Sequence, residues 1–180
     1  MNVRVYAVAV AVASLQLPLL LAAQGGPSPV ADALRTGEQR MGRNLVAAAE
    51  EMPADKYGYR PTPAQMSFAR IVVHLAEGND YLCGTIAGVK APERVKVDTA
   101  DSKDKLVARL RETFGFCETA LAKLDDSKLA DQLPFFGGRP ASRASVILVT
   151  VGDWADHYSQ AANYLRLNGQ LPPTAKRQTP

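Results

Sequence analysis

Two histidines and one aspartate are the residues of this chain whose types and spacing could bind a metal ion. Asp153 and His157 lie four residues apart in a segment with helical periodicity, so their side chains stack one turn above the other. Both fall on an otherwise apolar face, where a buried carboxylate is costly unless a cation or hydrogen-bond donors compensate it. His74 lies at the edge of another apolar face, beside Ile71 and Leu75. Three inward ligands from two helices suit a divalent cation with an open position for water or substrate.

The same spacing also fits a metal-free polar cluster. Interior histidines are commonly hydrogen-bonded core residues, and Asp153 could simply pair with His74 or His157. The sequence offers no glycine-rich phosphate loop, G-x-S-x-G elbow or H-E-x-x-H motif, and it identifies no catalytic residue. Gln160 could orient a bound water or line the core, and Glu77 is expected at the surface. Both interpretations of the three residues therefore stay open at this point.

Four amphipathic helices are predicted to carry these residues. Each has helical spacing of apolar residues between recognisable capping and terminating positions, over 28–52, 62–87, 102–124 and 142–168. Ser28 is expected to cap the first helix and Thr62 the second, and Gly88 to end the second. A small hairpin is predicted at 135–139 and a disordered tail from Thr174 onward. No strand alternation rivals these segments, so the fold class is all-α, most simply a four-helix bundle.

The composition excludes several classes of protein. A length of 180 residues with 47% hydrophobic residues predicts one domain with a substantial core. A charged fraction of 22% and a formal charge of +3 are unlike those of a disordered acidic protein. They also lack the clustered basic excess of a dedicated nucleic-acid binder, so no nucleic-acid partner is expected.

Residues 1–23 have the features of a secretory signal peptide. Arg4 supplies a positive start, and the residues from Val5 to Ala23 carry no charge. The alternative is an uncleaved membrane anchor, because ~19 apolar residues is the lower limit for a spanning helix. Pro18 and the small residues at the exit favour cleavage. Cleavage would leave no stable membrane span and would place the protein in the periplasm or outside the cell.

The two cysteines, Cys83 and Cys117, fall late in the second and third helices, on their apolar faces. They could be buried free thiols, but an oxidising compartment favours a disulfide. Counted from the predicted starts of their helices, their axial positions differ by only about 6 Å. A bridge would therefore require these two helices to run parallel, which gives the bundle an up-down-down-up order. Closing the loop would stabilise the fold by about 3–4 kcal/mol.

The chain resembles the DinB-like (DinB/YfiT) superfamily of metalloenzymes over most of residues 30–173. The resemblance is carried by YGYRPTPAQMSFARIVVHLAEGNDYLC, by DWADHYSQAANYLRLNG and by the following LPP. It implies an up-down-down-up four-helix bundle over residues 24–180. It also implies a divalent metal ion (Zn, Ni, Mn or Fe) on His74 and His157, with Asp153 at the position of the family's middle histidine. Related thiol-dependent isomerases of the superfamily have a carboxylate at that position.

Two function classes follow from these observations. The resemblance implies an exported metal-binding protein that acts on an unidentified small molecule as a hydrolase, thiol-S-transferase or thiol-dependent isomerase, and it implies a homodimer. The alternative is a non-catalytic helical bundle that binds a ligand or partner and keeps the three polar residues as a metal-free buried cluster. Metal content separates the two classes.

Overall fold

Four long helices form the framework of the computed structural model, which describes residues 27–176. They are α1 (Pro29–Glu51), α2 (Phe68–Ala87), α3 (Lys103–Leu121) and α4 (Arg143–Leu167). A two-stranded antiparallel sheet of β1 (Gln132–Pro134) and β2 (Pro140–Ser142) precedes α4, and a short α5 (Pro173–Lys176) follows it. No helix within residues 27–176 is long and apolar enough to cross a membrane. The predicted signal peptide, residues 1–23, lies outside the described residues.

Contacts between the helices establish the direction of each one. Asn79 contacts Thr113 and Cys83 contacts Cys117, so α2 and α3 run parallel. The backbone oxygen of Met66, just before α2, accepts a hydrogen bond from Tyr164, late in α4, so α2 and α4 are antiparallel. Contacts from Arg35 in α1 to the carbonyl of Leu121 at the end of α3 make that pair antiparallel as well. The predicted up-down-down-up bundle is confirmed.

A disulfide between Cys83 and Cys117 links the parallel pair, with their Cα atoms 5.2 Å apart. Cys83 lies fifteen residues beyond Phe68, where α2 begins, and Cys117 lies fourteen beyond Lys103, where α3 begins. The two residues are therefore almost level along the bundle axis. Both are completely buried among apolar side chains.

The second helix begins five residues later than the sequence indicates, with its cap at Ser67 in place of Thr62. Thr62 does not cap it: its hydroxyl hydrogen-bonds to the side chain of Gln65, whose backbone N–H donates to the Thr62 carbonyl and closes a turn. Ser67 is the cap instead, and the N–H of Phe68 donates to the carbonyl of Tyr59. The contact with Tyr59 thus satisfies a first-turn N–H group that has no acceptor within the helix.

The first helix is capped from a distance. The Asp126 carboxylate accepts hydrogen bonds from the backbone N–H groups of Val30 and Ala31, at 3.0 and 2.8 Å. Ser28, the predicted cap, makes no side-chain cap bond, and its hydroxyl accepts from the backbone N–H of Asp126. A carboxylate at a helix N-terminus is also favoured by the helix dipole, which explains why Asp126 replaces the local hydroxyl.

The hairpin and the tail complete the bundle. The strands flank the predicted 135–139 turn, with Leu133 opposite Ala141. The prediction of a disordered tail is wrong for residues 174–176, which belong to α5, and residues 177–180 lie outside the described part of the chain. At α5, Tyr158 donates a hydrogen bond to the Thr174 hydroxyl at 2.9 Å, and Lys176 pairs with Glu51.

Candidate metal centre

The structure brings His74, Asp153 and His157 together between α2 and α4. One potential ligand atom from each lies within 4.8 Å of the other two. The Asp153 carboxylate oxygen Oδ1 is 3.5 Å from His74 Nε2 and 3.3 Å from His157 Nδ1. The two imidazole rings are 4.7 Å apart at their centroids. Within residues 27–176 this is the single group of three or more such ligands that meets this distance limit.

The backbone of α4 orients the His157 ring. Its Nδ1 atom is 2.8 Å from the carbonyl oxygen of Asp153. In the tautomer that carries its proton on Nδ1, His157 donates to this carbonyl and leaves the Nε2 lone pair free to bind a cation. A spacing of four residues on one helix therefore fixes both the position of the ring and the nitrogen that it presents.

The three side chains differ in exposure. His157 is buried, whereas the side chains of Asp153 and His74 are 20% and 39% exposed. The centre is therefore anchored on the inner side and open to solvent on the outer side. Gly78, one turn beyond His74, contributes to this opening: a Cβ atom there would lie 3.7 Å from Asp153 Oδ2, so a large side chain would cover the carboxylate.

The donor set and its spacing fit a divalent cation. One carboxylate and two imidazoles can bind zinc, nickel, manganese or iron. The 3.5 Å between His74 Nε2 and Asp153 Oδ1 is too long for a good hydrogen bond. It is close to the edge of about 3.4 Å that a tetrahedral site with bonds of about 2.1 Å would have. These residues would hold the metal that the resemblance implies.

Asn79 supports the centre and was missed by the sequence reasoning. Its side-chain oxygen accepts a 2.8 Å hydrogen bond from the indole N–H of Trp154, the neighbour of Asp153, and its amide donates to Thr113. Both Asn79 and Trp154 are almost completely buried. One amide therefore joins α2, α3 and α4 beside the candidate ligands. Its signal in the sequence is a lone amide inside the apolar pattern of Leu75 and Leu82.

Other polar candidates lie outside the centre. The Gln160 amide donates to Asp156, and Glu77 pairs with Arg70 at the surface, as expected. The spacing of four residues between Val149 and Asp153 predicts that Val149 shares the inward face, but Val149 is 44% exposed. The buried face of α4 is rotated toward Trp154, because that indole packs into the core, and Asp153 consequently lies at its edge.

A separate cavity of about 360 Å³ between α2 and the loop before α3 is lined by several charged side chains, and its two arginines form ion pairs. Arg94 pairs with both Asp80 and Glu112, and Arg109 also pairs with Glu112. These contacts hold the 88–102 connection against α2 and α3.

Comparisons with known proteins agree with this architecture. A family model described as the DinB superfamily matches residues 39–161. A DinB-like protein from Bacillus cereus is 16% identical, with a TM-score of 0.66 over 79% of this chain and 95% of its own. A DinB-like protein from Bacillus subtilis is 15% identical, with a TM-score of 0.63 over 77% of this chain and 93% of its own.

A third solved structure is a variant of a mycothiol-dependent maleylpyruvate isomerase. It is 10% identical, with a TM-score of 0.58, and the match covers 72% of this chain and 59% of the isomerase. No curated protein matches the chain. At these identities the solved structures establish the fold alone.

Proposed function

The chain belongs to the DinB superfamily, and from this membership and the convergence of three ligands we propose that it is a metal-dependent protein that binds one divalent cation. The observation that carries the proposal is the placement of His74, Asp153 and His157 within one coordination sphere, partly open to solvent. Zinc, nickel, manganese and iron are all compatible with this donor set.

The proposed activity is a thiol-dependent transfer or isomerisation, or a hydrolysis, on a small molecule. A cation at this centre would supply Lewis acidity, which polarises a substrate carbonyl or lowers the pKa of a water or thiol beside it. Asp153 would contribute the single negative charge of the centre, and the Asp153 carbonyl would hold the His157 ring in place. The partial exposure of His74 leaves the approach for a substrate.

The thiol-dependent class is supported by two features. The carboxylate at position 153 stands where the superfamily's thiol-dependent isomerases also have one. A mycothiol-dependent maleylpyruvate isomerase is among the proteins with this fold. Hydrolysis uses the same centre with water in place of a thiol, so the two reactions differ in the nucleophile that the site admits.

Export is part of the proposal, as is the absence of a nucleic-acid partner and the formation of a homodimer. A buried disulfide is typical of proteins that fold in an oxidising compartment. Intact mass spectrometry of the protein from a fractionated culture tests this point. We expect a species that lacks about 23 residues from the N-terminus, in the periplasm or medium, and the full-length mass in the cytoplasm alone would contradict export.

Metal content tests the proposed centre. Protein purified without a nickel column, analysed by inductively coupled plasma mass spectrometry, should contain about one divalent ion per chain. The Asp153→Ala variant should lose most of that metal, because two neutral imidazoles remain. Asp156→Ala, a surface aspartate on the same helix, should keep it. A chelator should lower the melting temperature of the wild type and leave Asp153→Ala unchanged.

The same measurements detect the rival function. A metal-free polar cluster predicts no bound ion and an identical melting temperature with and without chelator. That pair of results would refute the metal proposal and leave a helical bundle that binds a ligand or partner by other means.

A further inference from the structure

A cavity of about 460 Å³ opens between the loop before α2 and the last turns of α4, on the C-terminal side of the metal ligands along α4. Pro61, Tyr164 and Leu167 contribute apolar surface to it, and its polar lining residues are Gln65, Gln160, Asn163 and Arg166. Its volume is within the range of small-molecule sites, which combine apolar walls with polar groups. We call it the distal pocket.

The distal pocket continues the face of α4 that holds the metal ligands. Asp153, His157, Gln160 and Tyr164 follow one another at spacings of four, three and four residues. Gln160 is therefore only about 4.5 Å beyond His157 along the helix axis. Gln160 is thus the lining residue of α4 nearest to the metal ligands, and a ligand that extends from the centre toward the C-terminal end of α4 would meet the pocket there.

The wall of the pocket is held in place before any ligand arrives. The Tyr164 hydroxyl donates a 3.0 Å hydrogen bond to the carbonyl of Met66. The Tyr164 ring packs edge-on against Tyr59, with centroids 5.8 Å apart. These contacts tie α4 to the loop before α2, so the distal pocket is a preformed feature of the fold, which lowers the cost of ordering on binding.

We propose that the distal pocket receives an apolar chain of the substrate, whose polar head lies at His74, Asp153 and His157. The proposal rests on the proposed function and adds to it a substrate class: small molecules that combine a metal-binding head with a hydrophobic tail. Arg166 also lines the pocket, so a positively charged tail is disfavoured there.

A second apolar feature flanks the centre on the opposite side. Tyr81 lies seven residues after His74, about 10 Å along α2, and stacks on Phe136 with centroids 4.6 Å apart. Phe136 is 59% exposed and stands out from the surface on the hairpin. A protruding pair of rings encloses less of a ligand than a cavity does, so we assign the tail to the distal pocket.

Alkyl hydroxamates test the assignment, since their head groups chelate metal ions and their tails vary in length. The protein is loaded with Zn²⁺, and acetohydroxamate, hexanohydroxamate and decanohydroxamate are titrated by isothermal calorimetry, because Leu167 lies about 15 Å beyond His157 along α4. Affinity should rise roughly fourfold for each methylene that enters the distal pocket. Leu167→Ser should reduce this dependence on chain length while leaving acetohydroxamate affinity within about twofold of the wild type.

Two matched variants localise the effect. Leu148→Ser changes another exposed leucine of α4, outside the pocket, and should keep the full dependence on chain length. Phe136→Ser should also keep it. Leu167 is 61% exposed, so its replacement is compatible with folding, which a thermal melt verifies.

The outcomes separate the two proposals. If acetohydroxamate binds but longer tails bind no better, the pocket assignment is wrong and the metal centre stands. If Phe136→Ser rather than Leu167→Ser removes the dependence on chain length, the tail lies on the hairpin and the assignment is wrong. If Zn²⁺ does not bind the protein at all, the proposed function fails and this inference fails with it.

Discussion

Reduction of the Cys83–Cys117 bridge should lower the free energy of unfolding by about 3–4 kcal/mol. The two cysteines are 34 residues apart, so the bridge removes the conformational freedom of a long loop from the unfolded chain. The loop contains the whole connection from α2 to α3. Without the bridge, the two parallel helices must be held together by side-chain packing and by the Asn79–Thr113 hydrogen bond.

Urea unfolding of the oxidised and reduced wild type measures this difference. Reduced wild type is the sharper comparison, because both sulfur atoms keep their packing and only the covalent link is lost. The double variant Cys83→Ala/Cys117→Ala should be less stable still, since it also leaves a cavity at two fully buried positions. Equal stability of the oxidised and reduced forms would show that the link contributes nothing.

The cysteines also explain why the topology could be predicted from the sequence. Helical periodicity gives four segments but no directions. One cross-link between residues at similar depth in two helices adds the missing long-range constraint. In the structure the axial offset between the two cysteines is smaller than the predicted value of about 6 Å. The reason is that α2 begins at Phe68, which makes the two cysteines almost level.

Helix starts were harder to predict, because their donors have competing acceptors. The N-terminal N–H groups of α1 bond to Asp126, about a hundred residues away, and the N–H of Phe68 bonds to a loop carbonyl. A capping motif in the sequence identifies only the nearby side chain that could accept these hydrogen bonds, and not a distant acceptor that replaces it. The third and fourth helices, by contrast, begin next to Ser102 and Ser142, close to the predicted starts, and each serine caps its helix by accepting from a backbone N–H three residues on.

The three candidate ligands could be predicted from residue types, but the residues that pack around them could not. Two histidines in the whole chain and one aspartate within a partly apolar face limited the choice to His74, Asp153 and His157. Spacing on a helix does not distinguish the centre of a buried face from its edge, which is why Val149 was misplaced. Asn79 was missed because its partner, Trp154, lies 75 residues further along the chain.

The burial of a carboxyl group on α1 was also missed, because the residues of α3 that surround it are distant in the sequence. Glu38 continues the apolar pattern of Leu34 and Leu45, and its exposure is only 3%. It lines a cavity of about 510 Å³ between α1 and α3, with Glu118, Arg43 and Arg111 around it. The pKa of Glu38 is raised to about 7, mainly by burial and also by the negative charge of Glu118, while the positive charge of Arg43 opposes the shift.

Glu38 should therefore make the fold less stable as the pH rises. An unfolded glutamate has a pKa of about 4.5, so the folded state binds more protons than the unfolded state between that value and about 7. The stabilisation by the protonated carboxyl is fully present below about pH 4.5 and is lost as the pH rises through 7. Relative to Glu38→Gln, which carries no charge at any pH, the wild type should lose about 2–3 kcal/mol between pH 5 and pH 8.

Urea unfolding of both proteins at a series of pH values checks this expectation. The quantity to compare is the difference between wild type and Glu38→Gln at each pH, because the titration of other groups cancels in it. Glu93→Gln, at a side chain that is 90% exposed, is the control for the loss of a glutamate charge at the surface. A constant difference for Glu38→Gln would mean that its carboxyl is already ionised in the folded protein at pH 5, and that the charge is compensated within the α1–α3 cavity.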